Sequence, residues 1–405
     1  MLCRYCKKPV DFRFLDYGKI PLVNQFLKSE KDFKTEKMYP LDLHYCENCG
    51  LVQIGTIVDP KILFADYIYF SSTSESFRKH GKELAENFAA RFNLNSGSLV
   101  VEIASNDGCV LESFKALNVG HLGVEPASNI AKVANEKGIR TENEFFNLET
   151  AKKLLEKYGS ADVIFGINVF AHIPEIHEFV QGLKMLLKPR GVVAIESPYL
   201  VDFITNVEFD TVYHEHVTYL SLRAMKNLFA RFGMEIIDAE WQDMHGGSMR
   251  YFIANKSEYP VSDNVKKFLA LEEECGLNNK ETYLAFAGNV TRLKSGLLSL
   301  LESLKKDGKK IAGYGASAKG VVLLNYCGIG GKYLDFVADK SKYKQGLYLP
   351  GVHIEVCDPK RLLSDMPDYV LLLAWNFADE ILKQQEEYRK KGGKFIIPVP
   401  DARVL

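Results

Sequence analysis

From about residue 98 the chain repeats one alternation. A short, near-continuous apolar run is followed by a stretch whose apolar residues recur every three or four positions. The runs are SLVVEIA (98–104), HLGVEP (121–126), ADVIFGIN (161–168) and GVVAIESP (191–198). Between or beside them, ESFRKHGKELAENFAARF and LETAKKLLEKYG carry the 3.6-residue period of amphipathic helices. Strands that are apolar on both faces and alternate with helices predict a parallel sheet covered on both sides. MEIIDAE and MRYFIAN (within 234–255) then predict an antiparallel edge. A long helical stretch, about 263–306, leads into a second alternation: KKIAGYGAS (309–317), YLDFVAD (333–339), YVLLLAW (369–375) and KFIIPVP (394–400). This predicts a second, smaller doubly wound unit. Residues 1–75 lack helical periodicity and read as short strands and turns. The expected architecture is α/β, in three units: 1–75, 76–255 and 256–405.

Composition adds boundaries. The 405 residues are 47% hydrophobic and 25% charged, with a formal net charge of -1, ordinary values for a globular chain. There is no basic excess to meet nucleic acid or an anionic membrane, so neither is expected as a partner. The N-terminal MLCRYCKK has no apolar signal core and no run approaches a membrane span. A cytoplasmic monomer is expected. Eight cysteines are too few for a disulfide scaffold and fit a reducing compartment.

Four of those cysteines are patterned. Cys3-x-x-Cys6 and Cys46-x-x-Cys49 are two CxxC knuckles, the second followed by Gly50. Each knuckle offers two thiolates on one turn, and two knuckles complete a tetrahedral structural Zn²⁺ site with no open position for chemistry. Such a site would replace a core that a segment this short can barely build.

Two strand–helix junctions carry ligand-type turns. In VVEIASNDGCVLESF the strand ends at Glu102, and Ala104, Ser105, Asn106, Asp107 and Gly108 form a small-residue loop. Glu125, followed by Pro126, ends the next strand, where a carboxylate can take the two hydroxyls of a ribose. The loop lacks G-x-G-x-x-G. It resembles motif I of S-adenosylmethionine (SAM) methyltransferases, E-x-G-x-x-x-G, with Ala104 in place of the first glycine. Phe145 and Phe146 are candidates to sandwich an adenine, and Asn168 opens the loop that shapes the methyl-transfer face. The second junction, IAGYGASAKG, reads G-x-G-x-x-A with Lys319 following. Alone it suggests NAD; it equally suits the diphosphate of a nucleotide-linked substrate at a helix N-terminus.

The stretch VYHEHVTYLS (212–221) lies between these junctions. It is not H-E-x-x-H, since Thr218 stands where the second histidine would be. The CxxC pairs, the E-I-A-S-N-D-G loop, YHEH, HGGSMR (245–250) and GYGASAKG occur in that order. Together they resemble the zinc-containing SAM-dependent sugar C-methyltransferases, which methylate nucleotide-linked 4-keto-6-deoxy sugars at C-3. That resemblance implies a small N-terminal zinc-binding domain, a central Rossmann-like SAM methyltransferase domain and a C-terminal doubly wound domain that holds the nucleotide sugar, with a thymidine diphosphate carrier expected. It implies that Tyr213, Glu215 and His216 lie in the active site with Tyr67 and His172. The second Gly-rich turn then holds substrate, with Tyr314, Ser317 and Lys319 as candidate contacts and Asn168 as another. From the residues themselves, the glycines after His245 permit close approach of a ligand, and Arg250 suits either a phosphate contact or an ordinary strand end.

Methylating carbon requires a carbanion, hence a base and a group that stabilises an enolate. His216 is the candidate base, Glu215 its orienting partner, and Tyr213 or Tyr67 an assisting acid. His214 reads as a packed histidine. Residues i and i+2 of a strand share a face, so a regular strand cannot bring Tyr213, Glu215 and His216 together, and a turn is predicted. Alternatives are an NAD-dependent sugar-nucleotide oxidoreductase or epimerase, for which no convincing Tyr-x-x-x-Lys follows the second turn, and a non-enzymatic zinc-containing assembly protein.

Overall fold

The computed structural model describes residues 1–63, 70–244 and 246–405. Tyr67 and His245 lie outside the described residues. Strands β1 (Arg13–Pro21), β2 (Met38–Tyr45) and β3 (Val52–Ile54) form an antiparallel meander. Beneath it the two knuckles close on each other. Each is a tight turn, with Lys7 N–H donating to Cys3 O (3.0 Å) and Gly50 N–H to Cys46 O (2.8 Å). Lys7 and Gly50 both adopt positive φ, 59° and 82°. The four sulfurs lie within 4.8 Å of one another, with Cys3–Cys49 and Cys6–Cys46 both at 3.5 Å. Zn–S bonds of about 2.3 Å at tetrahedral angles place sulfurs about 3.8 Å apart, so the cluster fits the ion.

The central sheet begins with β4 (Leu99–Ile103), whose Val100, Val101 and Ile103 are buried. β5 (Gly120–Val124), β6 (Thr141–Glu142), β7 (Ala161–Ile167) and β8 (Leu187–Pro198) follow, all parallel. The helix Glu75–Arg91, capped by the Ser74 side chain, packs Leu84, Ala85 and Phe88 onto this sheet.

β9 (Thr218–Tyr219) departs from the central unit and pairs antiparallel with β3, so the N-terminal sheet takes its fourth strand from far downstream. β10 (Met234–Gln242) and β11 (Ser248–Asn255) then form the expected antiparallel edge. The central order is β10-β11-β8-β7-β4-β5-β6. The chain moves outward from β4 in one direction and returns on the other side at β7. This switch opens a crevice at the carboxyl ends of those strands.

The predicted long helix is two, Asp263–Glu274 and Lys280–Lys306. Gly276 breaks it at φ 68°, a left-handed position that favours glycine. β12 (Ile311–Tyr314), β13 (Val337–Ala338), β14 (Val356–Cys357), β15 (Tyr369–Leu372), β16 (Lys394–Ile397) and β17 (Arg403–Val404) build the last sheet in the order β14-β13-β12-β15-β16-β17. It is parallel except for β17. No helix among the described residues is long and apolar enough to cross a membrane.

All three units meet at residues 208–217. Tyr17 Oη, in β1, donates to Phe209 O (2.8 Å). Ile54 N–H, in β3, donates to Val217 O (3.2 Å), while Val217 N–H donates to Ala171 O after β7 (2.8 Å). From the C-terminal unit, Trp375 Nε1 donates to Asp210 Oδ2 (2.6 Å). Asp210 is fully buried, and burial raises its carboxyl pKa although Lys319 opposes the shift. Trp375→Phe strands this carboxylate without its donor. A stability loss of about 1.5–3 kcal/mol is expected, read by denaturant titration. Cys46→Ser, which leaves three thiols, should lose stoichiometric zinc and lower the thermal midpoint. Metal analysis and calorimetry check both.

Candidate active site

The loop after β4 is wound tightly. Ala104, Asn106 and Gly108 have φ of 54°, 50° and 76°, so Ala104 occupies the left-handed conformation that glycine adopts without strain. A Cβ at Gly108 would meet Ile139 Cγ2 at 2.8 Å, which gives that glycine a second reason. Glu125, at the end of β5, is buried and anchors the loop. Its Oε2 accepts from Asn106 N–H (3.0 Å) and its Oε1 from Ala127 N–H (2.8 Å).

Buried polar atoms without partners line this crevice: Glu102 Oε2, Ser105 Oγ, Asp107 Oδ1 and Asn168 Oδ1. Burial, with Glu125 and Asp107 nearby, holds the Glu102 carboxyl well above its ordinary pKa. Such atoms require a polar ligand or water. Three carboxyl groups offset by one Lys137–Asp107 ion pair (3.0 Å) suit a ligand carrying a sulfonium and an ammonium. The residues therefore fit SAM. Pro126 borders the loop, its carbonyl accepting from the Asn143 amide (3.0 Å). The pair Phe145 and Phe146 is split. Phe145 is exposed, whereas Phe146 is buried against Phe179, ring centroids 5.2 Å apart. Apolar packing thus removes Phe146 from the adenine sandwich that the sequence suggested.

The turn predicted at 212–217 is present. His216 N–H donates to Tyr213 O (2.9 Å), and the chain regains strand geometry only at β9. Residues i and i+3 therefore share a side, and Tyr213 Oη lies 3.0 Å from His216 Nε2. His216 Nδ1 is 2.8 Å from Thr211 O. A carbonyl only accepts, so Nδ1 carries the hydrogen, and in the neutral ring Nε2 is the acceptor to which Tyr213 donates. His172, in the loop that opens with Asn168, sets its ring edge-on to His216, centroids 4.9 Å apart. Burial lowers its pKa to about 4, keeping the imidazole neutral.

Glu215 takes a different partner, accepting at Oε1 from Asn24 Nδ2 (2.6 Å). Burial raises its carboxyl pKa to about 7 against the opposing effect of Asn24. His214 faces away, donating from Nε2 to Pro40 O (3.2 Å) and packing edge-on to Tyr39. Among the described residues the one cluster of three or more metal-type ligands is the cysteine quartet.

Around the second Gly-rich turn, Gly315 has φ 92° and Ser317 caps the following helix by accepting from Gly320 N–H (3.2 Å). Lys319 does not stand alone as a counter-charge. Its ammonium lies 3.9 Å from Glu208 Oε2 and 4.8 Å from the Trp375 ring centroid. Tyr314 is buried, its hydroxyl accepting from Gln385 (3.2 Å). Arg250 is a correction. It is buried in an ion cluster, with Nε and Nη2 at 2.9 and 2.7 Å from Glu196 Oε2, and His80 Nε2 at 2.6 Å from Glu196 Oε1. Stripping that pair to serve a phosphate would leave a buried carboxylate uncompensated. Sequence reasoning missed Asn24, Asp210 and Trp375. Their pairings join positions 191 and 165 residues apart, and no local pattern signals them.

Three family models match in succession: "Putative zinc binding domain" over residues 3–64, "Methyltransferase domain" over 74–239 and "C-methyltransferase C-terminal domain" over 243–400. C-methyltransferase NovU of Streptomyces niveus is 37% identical over 404 residues, covering 100% of this chain and 96% of the relative. A ubiquinone biosynthesis O-methyltransferase of Bartonella bacilliformis is 25% identical over 106 residues, covering 25% of this chain and 42% of that protein. A SAM-dependent methyltransferase structure from Archaeoglobus fulgidus overlays with TM-score 0.36 and 14% identity, covering 44% of this chain and 94% of its own. The full-length likeness to a C-methyltransferase decides against the oxidoreductase and assembly-protein alternatives. With a cysteine quartet shaped for zinc and a crevice shaped for SAM, the chain belongs to the SAM-dependent C-methyltransferases that carry an N-terminal zinc-binding domain.

Proposed function

We propose that the enzyme methylates C-3 of a nucleotide-linked 4-keto-6-deoxy sugar, with thymidine diphosphate as carrier, through an enolate. The observation that carries this reading is the Tyr213–His216 pair. It is a histidine whose Nδ1 faces the Thr211 carbonyl and whose Nε2 faces the Tyr213 hydroxyl, set edge-on to His172 of the loop that opens with Asn168. A C–H next to a ketone needs a base of near-neutral pKa and a donor for the oxygen that becomes negative. His216 Nε2 is the base. The Tyr213 hydroxyl occupies it in the free enzyme and turns to donate to the enolate oxygen as the carbon proton moves to Nε2. Glu215 supplies a second titratable group on the same turn. SAM, when bound, supplies the electrophilic methyl, and Glu102, Ser105, Asp107, Glu125, Pro126, Phe145 and Asn168 would hold it. Lys319, Ser317 and Tyr314 would meet the nucleotide portion. Tyr67, as an assisting donor or acid, and His245, as a substrate contact, complete the reading and lie outside the described residues.

The test is mass spectrometry of SAM with a panel of nucleotide-linked 4-keto sugars, seeking one added methyl, together with deuterium uptake at C-3 in the absence of SAM. Both should occur. His216→Asn should reduce both by about 100-fold or more while SAM binding persists; full turnover in that variant would remove His216 as base. The Glu215 pKa predicts a stability slope. Its carboxyl titrates at about 7 when folded against 4.5 ordinarily. The folded state therefore binds the proton more tightly. Stability from this group is complete below about pH 4.5 and is lost as pH rises to about 7. Glu215→Gln should flatten that slope and gain on the order of 2 kcal/mol above pH 7, measured as thermal midpoint against pH.

A further inference from the structure

Glu215 is only 4% exposed, and Asn24 is the one hydrogen-bond partner of its carboxylate among the described residues. Asn24 belongs to the zinc-bearing N-terminal unit, just past β1. Its position is fixed on both sides: Leu22 and Val23 are buried, and Gln25 N–H donates to Leu22 O (3.0 Å). The same unit also grips the 208–217 segment through Tyr17 Oη on Phe209 O (2.8 Å), through Pro40 O under His214 (3.2 Å) and through Ile54 N–H on Val217 O (3.2 Å). The amide is therefore presented to Glu215 by a supported backbone rather than by a free loop.

The chemistry of that contact is one-directional. An amide N–H donates and cannot accept. It keeps a lone pair on Oε1, so in the neutral carboxyl group the acidic hydrogen sits on Oε2. We infer that Asn24 is a positioning residue for methyl transfer: it orients Glu215 and assigns the exchangeable proton to Oε2. The inference rests on the reading that Glu215 takes part in the reaction, and it gives the zinc-binding unit a part in the chemistry. Among the described residues no charged group is a cause of the carboxyl's shift. Burial raises its pKa and the Asn24 hydrogen bond alone opposes that. The other titratable side chains of the turn and its described neighbours include Tyr213, His214 and His216, Tyr39 against His214, Tyr219 edge-on to His216, and His172 from the β7 loop.

The experiment compares Asn24→Ala, Asn24→Asp and Glu215→Gln in the full-length zinc-loaded enzyme. Readouts are kcat and KM across pH, SAM affinity, zinc content and thermal midpoint. Asn24→Ala removes the donor that favours the carboxylate, so the limb of the kcat profile set by Glu215 should move to higher pH. kcat should fall roughly 10–100-fold at neutral pH, the scale of losing a hydrogen bond to a charged group. SAM affinity and zinc content should stay unchanged. Asn24→Asp keeps the shape and can donate only when protonated, so its activity should recover as pH falls, which Asn24→Ala cannot do. A merely structural Asn24 would lower the midpoint or zinc content and leave the limb in place, and that result overturns the proposal. An unchanged kcat profile in both Asn24 variants beside an impaired Glu215→Gln also overturns it. If Glu215→Gln itself turns over as the parent does, the assignment of Glu215 fails first and the role of Asn24 with it.

Discussion

The site depends on a ten-residue segment, 208–217, that none of the three units could hold alone. Beyond one 3-10 turn at Phe209–Thr211 and the turn closed by His216 N–H on Tyr213 O, its backbone has no continuous ladder to satisfy its polar groups. Those groups are met from outside instead: Phe209 O by Tyr17, Val217 O by Ile54, Val217 N–H by Ala171 O, Asp210 by Trp375 and Glu215 by Asn24. Each buried polar group left without a partner costs such a segment stability, and the partners above meet most of them, Asp210 Oδ1 and His214 Nδ1 excepted. Here the partners come from the zinc-bearing sheet, the central sheet and the C-terminal sheet. The position of His216 is thus a property of the whole assembly, consistent with likeness to a C-methyltransferase running the length of the chain.

The two doubly wound units solve one problem in the same way. In each, a loop leaves the first strand and must turn sharply with its amides exposed to the crevice. In the central unit Glu125 takes Asn106 N–H and Ala127 N–H. In the C-terminal unit Asp339 takes Ala316 N–H (2.7 Å) and Ser341 N–H (2.7 Å). One acid at the end of the second strand ties the first loop to its own chain. Their surroundings diverge. The central crevice keeps partnerless carboxyl atoms and favours a cationic ligand. The C-terminal turn is followed by Lys319, whose charge is shared with Glu208 and with the face of Trp375.

What the sequence made legible follows from the range of the forces involved. Continuous apolar runs located β4, β5, β7, β8, β12, β15 and β16, because burial on both faces leaves no freedom in composition. Paired CxxC spacing located the metal, because four thiols must share one point. The i, i+2 argument required a turn at 213–216, and the turn is there. The failures are long-range. Phe146 and Arg250 look like ligand residues until Phe179 and Glu196 claim them. β9 is two residues long and has identity only as the partner of Val52 and Gln53. Asn24 is one asparagine after an apolar triplet, and nothing near it points to Glu215.

The N-terminal metal gains its meaning from this arrangement. Four thiolates leave no vertex for substrate, and the cluster lies at the far end of the meander from the turn in sequence. Yet the knuckle at Cys46–Cys49 runs directly into β3, with Cys46 N–H donating to Leu51 O (2.8 Å). β3 pairs with β9, two residues beyond His216. Arg4, between the cysteines of the first knuckle, donates to Gln53 Oε1 (2.9 Å) and to Ile54 O (2.7 Å) on the same strand. Fixing the four sulfurs therefore fixes β3. β3 fixes the end of the turn, while β1 and the segment after it fix the beginning and supply Asn24. The quartet is structural in its coordination, and what it structures is the geometry of the Tyr213–His216 turn.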